Sequence, residues 1–471
     1  SYNTPAATIM DSGSTTFTGA GTILKKGTGT VRWNTTAGTF ALGAGSLIDV
    51  QGGTFIGGSN SNEVWTNNKS SLNVASGAPF DGSEAHVFVD ALTGAGSIKT
   101  GWNTSGGSIT VGINGTSAGS TNNPTGVAYN AAGTATFTGT VAPSAGTLGS
   151  FVKSGAGTQI LVGANTYGGT TTIKGGTLQI GDGVGGAGHT SNVGTGAIVL
   201  DGANSTLSFK NLANVTLSSA QTITGNGTLM SDKPLTLSGK ITVQKSAVDN
   251  NANLTIKTTD TNVNTGSSDL NINAAVVKGD ANNVSFTAES ATSLALNGNI
   301  GNKTTDASNA TGTLDVSLTS LGGGVNNNYS YGLYLNKVID ANGGVVTLTS
   351  TTHNSNAATG TAAVNFYNGS GITAGSFTVT ASDGISSVVI DNQTISAAEL
   401  KQLSSIHKSI DTGEGTLVLT NYNQATGVID YTYTLKNTID NDSKANATNT
   451  QFVDQIAITV NGIGGATDSD I

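Results

Sequence analysis

The chain has 471 residues, 67 of them glycine and only 5 proline, with 10% charged residues and a net charge of −9. A negative balance without basic clusters excludes nucleic acid and anionic lipid as partners, and the absence of cysteine excludes disulfides, thiolate metal sites and a cysteine nucleophile. No apolar run reaches the length of a membrane span, so membrane insertion of this segment is not expected.

Low charge also argues against a self-repelling disordered chain, and the abundant Thr, Ser, Asn, Ala and Val suit strands and tight turns. Helical patterning is almost absent, so the fold class is all-β. The lack of cysteine fits a chain exported unfolded, in which a stray thiol would be a hazard. The pattern is already running at Ser1 and still running at Ile471, so the chain reads as a piece of something longer.

From residue 1 to 210, short apolar strands (Thr39–Leu42, Ser46–Val50, His86–Asp90, Ser108–Val111, Thr134–Thr138) alternate with Gly-, Asn- and Ser-rich turns. The densest stretch is Phe151–Gly181, which sets strands at Gln159–Val162, Thr170–Lys174 and Thr177–Ile180 between glycine turns. A unit of about thirty residues cannot bury its apolar face alone and must stack on copies of itself. Degraded copies are present. Lys25-Lys26-Gly27-Thr28-Gly29-Thr30 matches Lys153-Ser154-Gly155-Ala156-Gly157-Thr158, and Gly52-Gly53-Thr54-Phe55 matches Gly175-Gly176-Thr177-Leu178. Thr30 and Thr54 are 24 residues apart whereas Thr158 and Thr177 are 19 apart, so strands are kept while loops vary.

The run Gly163-Ala164-Asn165-Thr166-Tyr167-Gly168-Gly169-Thr170-Thr171, with Leu178, resembles the autotransporter-associated β-strand repeat of bacterial passenger domains. Upstream segments agree in order: Val89–Ser97, Ile109–Gly112 and Ala135–Gly139. This resemblance covers about residues 20–210 and implies a right-handed parallel β-helix. In such a solenoid, coils of roughly 20–25 residues stack with strands about 4.8 Å apart, apolar side chains inward and Thr and Ser outward.

From 211 to 385 the explicit repeat fades but the rhythm persists, with strands expected at Val215–Leu217, Leu235–Val243, Leu254–Lys257, Ser285–Ala288, Ser293–Leu296, Thr313–Leu318, Val345–Ser350 and Ser376–Thr380. Asn299-Ile300-Gly301 and Val338–Val345 resemble the degenerate coils of haemagglutinin-type β-helices. This part is expected to continue the solenoid, with an insertion near Asn326–Tyr334.

From 386 to 471 the texture changes, with ten acids against four lysines. Ser386–Ile390 reads as a strand, Ser396-Ala397-Ala398-Glu399 as a capping box opening a short helix through Leu403, and Phe452–Val460 as a further strand. The segment of about 383–471, and above all the stretch from Gly413 to Leu435, resembles the immunoglobulin-like repeat of large type I-secreted (RTX) adhesins, which implies a small Ig-like β-sandwich after the β-helix. That family's strand after Asp468–Asp470 is missing here. The C-terminal resemblance favours type I export, and the N-terminal repeats favour autotransporter or two-partner routes.

Chemistry is sparse. β-Helical polysaccharide lyases need clustered acids with an Arg or Lys base, yet arginine occurs once, as Arg32, and the five glutamates are scattered. His86, His189, His353 and His407 lie apart without ligand spacing. Gly181–Gly186 lacks the Lys-Ser/Thr that would complete a phosphate loop. Asp440, Asp442, Asp468 and Asp470 offer oxygen ligands at alternate positions for Ca2+, as the RTX resemblance allows. Trp33, Trp65 and Trp102 are spaced 32 and 37 residues apart, so stacked coils would bring them to one face as a sugar platform, or else into the core. The resemblances together imply a non-enzymatic adhesin segment at a bacterial cell surface. Its partners would be host-cell or matrix glycans or proteins, or further copies of itself. The alternative is a carbohydrate-binding or polysaccharide-cleaving β-helix.

Overall fold

The computed structural model describes residues 2–3, 8–11, 16–33, 39–58, 65, 67–103, 106–112, 133–184, 192–210, 214–247, 249–260, 269–301, 312–322, 332–341, 344–350, 363–367, 375–381, 384–413, 415–435, 453–464 and 467–468. By internal contacts the chain divides into two compact units. One comprises Ser1–Ala213, Ala220–Met230 and Ser246–Asn251, and the other comprises Asn214–Ser219, Ser231–Lys245 and Ala252–Ile471.

In the first unit the strands sort into three main parallel ladders. The first holds Thr22–Lys26, Leu47–Val50, Ser71–Val74, Leu92–Gly94, Thr134–Phe137, Thr158–Leu161, Gly176–Ile180 and Ser205–Phe209. The second runs from Thr30–Trp33 through Thr54–Ile56, Pro79–Asp81 and Ser97–Trp102 to Thr140–Ala145. The third runs from His86–Val89 through Ser108–Val111, Ser150–Lys153, Thr171–Ile173 and Ile198–Leu200 to Ile223–Gly225. Successive strands of one ladder come from successive coils, as the sequence repeat requires.

Register places like on like. Val31, Phe55, Phe80, Ile98 and Val141 are consecutive partners and all buried, as are Phe137, Leu161, Ile180 and Phe209. Burial of each such side chain contributes about 1.5–3 kcal/mol, so these in-register columns are the main source of stability. At Gly176 the backbone turns at φ +63°, and a Cβ there would run into the carbonyl oxygens of Gly155 and Gly157 one coil earlier. The Gly-Gly-Thr signature therefore marks a corner where two coils touch backbone to backbone.

The second unit repeats this logic with longer coils. Asn253–Thr258, Val284–Ser290, Leu314–Ser320, Val346–Ser350 and Gly375–Thr378 form one parallel ladder, and Leu235–Leu237, Leu270–Ile272, Leu294–Leu296, Gly332–Leu335 and Ala363–Tyr367 another. Leu254 pairs with Phe286 and Phe286 with Val316, steps of 32 and 30 residues. These exceed the 20–25 expected. The strand Val284–Ser290 alternates buried and half-buried at every position, the period-2 pattern of a sheet with one wet face.

Two expected strands are each divided. Leu235–Val243 splits into Leu235–Leu237 and Ile241–Val243, which join different ladders, because Ser238-Gly239-Lys240 makes a coil corner. Phe452–Val460 splits into Val453–Ile456 and Ile458–Gly462, which likewise serve different sheets.

The C-terminal segment ends the parallel ladders. Val428–Leu435 pairs antiparallel with Gly375–Thr378, and Val453–Ile456 pairs antiparallel with Ala363–Tyr367. Outside these lie the hairpin strands Gly415–Asn423 and Lys408–Asp411, and a separate antiparallel sheet of Ile385–Ile390, Gln393–Ser396, Ile458–Gly462 and Thr467–Asp468. Residues 386–471 therefore share hydrogen-bonded sheets with the last parallel strands of their unit, rather than forming a sandwich paired only with itself. Among the described residues the helix is Ala397–Leu400, shorter than expected and continued by turns. Its capping box is formed in both directions, with Ser396 Oγ accepting from the Glu399 N–H at 3.2 Å and the Ser396 N–H donating to Glu399 Oε2 at 2.8 Å.

Candidate functional site

The three tryptophans do not share a surface. Trp33 and Trp65 are buried, at 4% and 0% exposure, in a cluster with Phe17, Phe40, Phe55 and Phe80. Trp65 stacks on Phe40 with ring centroids 4.0 Å apart and donates its indole N–H to the Gly57 carbonyl at 2.7 Å. Gly57 is small by necessity, since a Cβ there would lie 2.8 Å from Phe80 and 2.9 Å from Trp65. Trp102 alone is surface-facing, at 44% exposure, and Leu148 is exposed in the turn that follows its partner strand Thr140–Ala145. The platform is replaced by a core cluster plus one exposed indole. Trp33 and Trp65 fall on inward positions or beside them, and an indole gains more from burial there than from water.

Of the acids expected to bind Ca2+, Asp440, Asp442 and Asp470 lie outside the described residues, and Asp468 is described only by its backbone pairing with Val460. Among the histidines, His86 Nδ1 lies 2.8 Å from Ser108 Oγ, His407 is exposed, and His189 and His353 lie outside the described residues. No group of three His, Asp or Glu suited to a metal occurs among the described residues.

The charged groups that matter structurally are lysines that sequence reading had treated only as motif letters. Lys25 and Lys153 are fully buried, each at the strand-end corner of the repeat motif. Lys25 Nζ donates to the carbonyls of Lys26 (2.8 Å), Gly27 (2.9 Å) and Gly52 (2.7 Å). Lys153 Nζ donates to those of Ser154 (2.6 Å), Gly155 (2.9 Å) and Gly175 (3.1 Å). Burial pushes the Lys153 ammonium pKa down, opposed by the Asp90 carboxylate. The signal was available in sequence, because each lysine precedes a Gly-x-Gly-Thr corner and is followed one coil later by Gly-Gly-Thr.

In the second unit, Asp269 is fully buried. Its Oδ2 accepts from Thr258 and, at 3.2 Å, from Ser290, while its Oδ1 has no hydrogen-bond partner among the described residues. Burial pushes this carboxyl up to about 6, with the two hydroxyls opposing the shift, nearby Asp260 adding to it and Lys233 reducing it. A fully buried carboxyl held by two hydroxyls suits a structural role. Near the C-terminus an open pocket of about 370 Å³ is lined by Leu400, Lys401, Tyr422, Gln424, Thr426 and Ile463 among others. It combines an aromatic ring, an ammonium and amide groups without a paired acid and base.

Among the described residues the exterior thus presents polar strand faces, the exposed Trp102 indole and the open pocket near Tyr422. Against this geometry the comparisons with known proteins are informative. Residues 151–180 and 410–430 match the family described as passenger-associated-transport-repeat. The likeness is to autotransporter passengers. A 178-residue stretch is 35% identical to the "Adhesin BmaC autotransporter" of Brucella suis biovar 1 (strain 1330), covering 37% of this chain and 4% of that protein. The chain therefore spans about one twenty-fifth of that relative's length. No solved structure matches. Both likenesses indicate a secreted, cell-surface protein. The first matched segment falls on two successive coils, Ser150–Lys153 with Thr158–Leu161 and then Thr171–Ile173 with Gly176–Ile180. The second falls inside the stretch that resembles an immunoglobulin-like repeat, and here it forms an antiparallel hairpin.

Proposed function

We propose that the chain is a non-enzymatic adhesive segment of a large secreted bacterial surface protein, in which stacked parallel coils hold polar strand faces and corner loops outward for attachment. The observation that supports this most directly is the passenger-repeat match at 151–180 falling on two coils whose inward residues are fully buried, joined to 35% identity with an adhesin. Partners would be glycans or proteins of a host cell or matrix, or further copies of the same chain. Contacts through such hydroxyl- and amide-rich faces are individually weak and gain strength from multiplicity.

The test is display of the chain on a non-adherent bacterium, with retention measured on glycan arrays, on matrix proteins and between the displaying cells. Retention above an unrelated displayed β protein on any of these is expected. A reducing-sugar and lyase assay runs alongside. Turnover of a polysaccharide would replace the adhesive reading with the cleaving one, and absence of retention everywhere would remove it.

A further inference from the structure

The buried lysines recur. A third, Lys278, is 3% exposed and donates to the carbonyls of Asn282 at 2.7 Å and Thr313 at 3.3 Å. Lys153 and Lys278 close a ladder strand and Lys25 is the last residue but one of its strand, each at a corner leading into the next ladder. In each the ammonium reaches one or two carbonyls of its own corner. It also reaches one carbonyl of the following coil: Gly52, Gly175 or Thr313, each just before a strand. The in-register positions one coil on from Lys25 and Lys153 are Val50 and Ile173, so the arrangement is used at chosen corners and not at every coil.

An ammonium carries three N–H donors and no acceptor, and the Lys25 and Lys153 corners each present three carbonyl oxygens at hydrogen-bonding distance. The glycines of these corners leave room for that convergence, since a Cβ at Gly53 would meet the Lys25 ammonium at 2.7 Å. Without the cation, these converging part-buried carbonyls would lose a charged donor that holds them together.

We propose that these corners are ammonium-binding sites which the chain fills with its own lysine, so that each buried lysine clamps the corner of one coil onto the corner of the next. Coil stacking is then fixed at intervals by a directional polar contact, in addition to the non-directional apolar columns.

The test uses the whole chain and reads amide hydrogen exchange at 154–157 and 175–177 together with the thermal midpoint. Lys153→Ala is expected to speed exchange at both corners by about tenfold or more, and Lys153→Met, which keeps the apolar stem, to do the same. Lys174→Ala, the exposed neighbour, is expected to change neither reading. Methylammonium chloride, which enters the emptied corner, is expected to slow exchange in Lys153→Ala, whereas tetramethylammonium chloride at equal concentration, having no N–H, is not. Wild-type exchange in Lys153→Met, or equal effects of the two salts, overturns the proposal. Should Lys153→Ala fail to fold in buffer, recovery in methylammonium alone supports the clamp and failure in both salts overturns it.

Discussion

Asp269 shows what a single interior charge does to this solenoid. Its carboxyl is raised to about 6 from 3.8 by burial, so between about pH 4 and 6 the folded chain keeps a proton that the unfolded chain has shed. Stability from this group is therefore greatest below about pH 4, falls as pH rises through 6, and is level above it. The full span is roughly 3 kcal/mol. Asp269→Asn should raise the thermal midpoint at pH 7 and flatten the difference between pH 4.5 and 7 relative to wild type. An unchanged pH difference would show that the carboxyl is not the titrating group. The tryptophans give a second residue-level contrast. Trp65→Ala should cost about 3–5 kcal/mol by emptying the aromatic cluster, and Trp102→Ala less than about 0.5 kcal/mol, both read by chemical denaturation. Which of them faces inward was not legible from spacing alone. Residues 32 and 37 apart can lie on any face once coil lengths vary, and only the neighbours Phe40, Phe55 and Phe80 decide it.

At the scale of elements, most strands were legible because period-2 burial is written into runs such as Thr39–Leu42 and Val215–Leu217, which form as read. The failures are of one kind. Leu235–Val243 runs across a corner that Ser238-Gly239 does signal, outweighed in the reading by the apolar alternation on both sides, whereas Phe452–Val460 changes sheet at Ala457, which carries no turn signal, so in each case two short strands read as one. The passenger repeat itself shows how context overrides motif. At 151–180 its strands enter separate parallel ladders, whereas at 410–430 the corresponding strands pair with each other. Lys153 is buried at its corner, while the matching Asp411 is exposed and accepts the Gly413 N–H at 2.8 Å, so the second copy has no cation in its turn. Two local predictions follow from the geometry. Gly176→Ala should destabilise the first unit by about 1–3 kcal/mol, because a side chain at φ +63° meets two carbonyls. Ser396→Ala should cost about 1 kcal/mol in denaturant unfolding through loss of the capping box.

For the whole molecule the decisive feature is how the parallel ladders stop. Parallel strands leave a row of unpaired N–H and C=O groups at an end, a template for any other strand. The antiparallel strands Val428–Leu435 and Val453–Ile456 occupy two such rows, with Tyr431 packing its ring 5.9 Å from Phe377. The outermost strand of that hairpin, Lys408–Asp411, is short and charged at both ends, which discourages further pairing. Removing residues 386–471 should therefore produce concentration-dependent association, seen by light scattering, that the full chain does not show. A monodisperse truncation would mean that the last parallel strands protect themselves.

The ladders also tolerate interruption. Gly94 and Phe137 are direct partners although 43 residues separate them, against the 24 residues from Phe137 to Leu161 in the next step. Between them in sequence, Ser97–Trp102 and Ser108–Val111 serve the other two ladders, and Thr134–Phe137 still pairs in full register with Thr158–Leu161. A foreign epitope spliced between residues 120 and 121 should accordingly leave the thermal midpoint of the chain within about 2 °C. A step of 43 residues and a step of 24 thus end in the same register: the stack fixes which residues become partners and leaves free the length of chain between them.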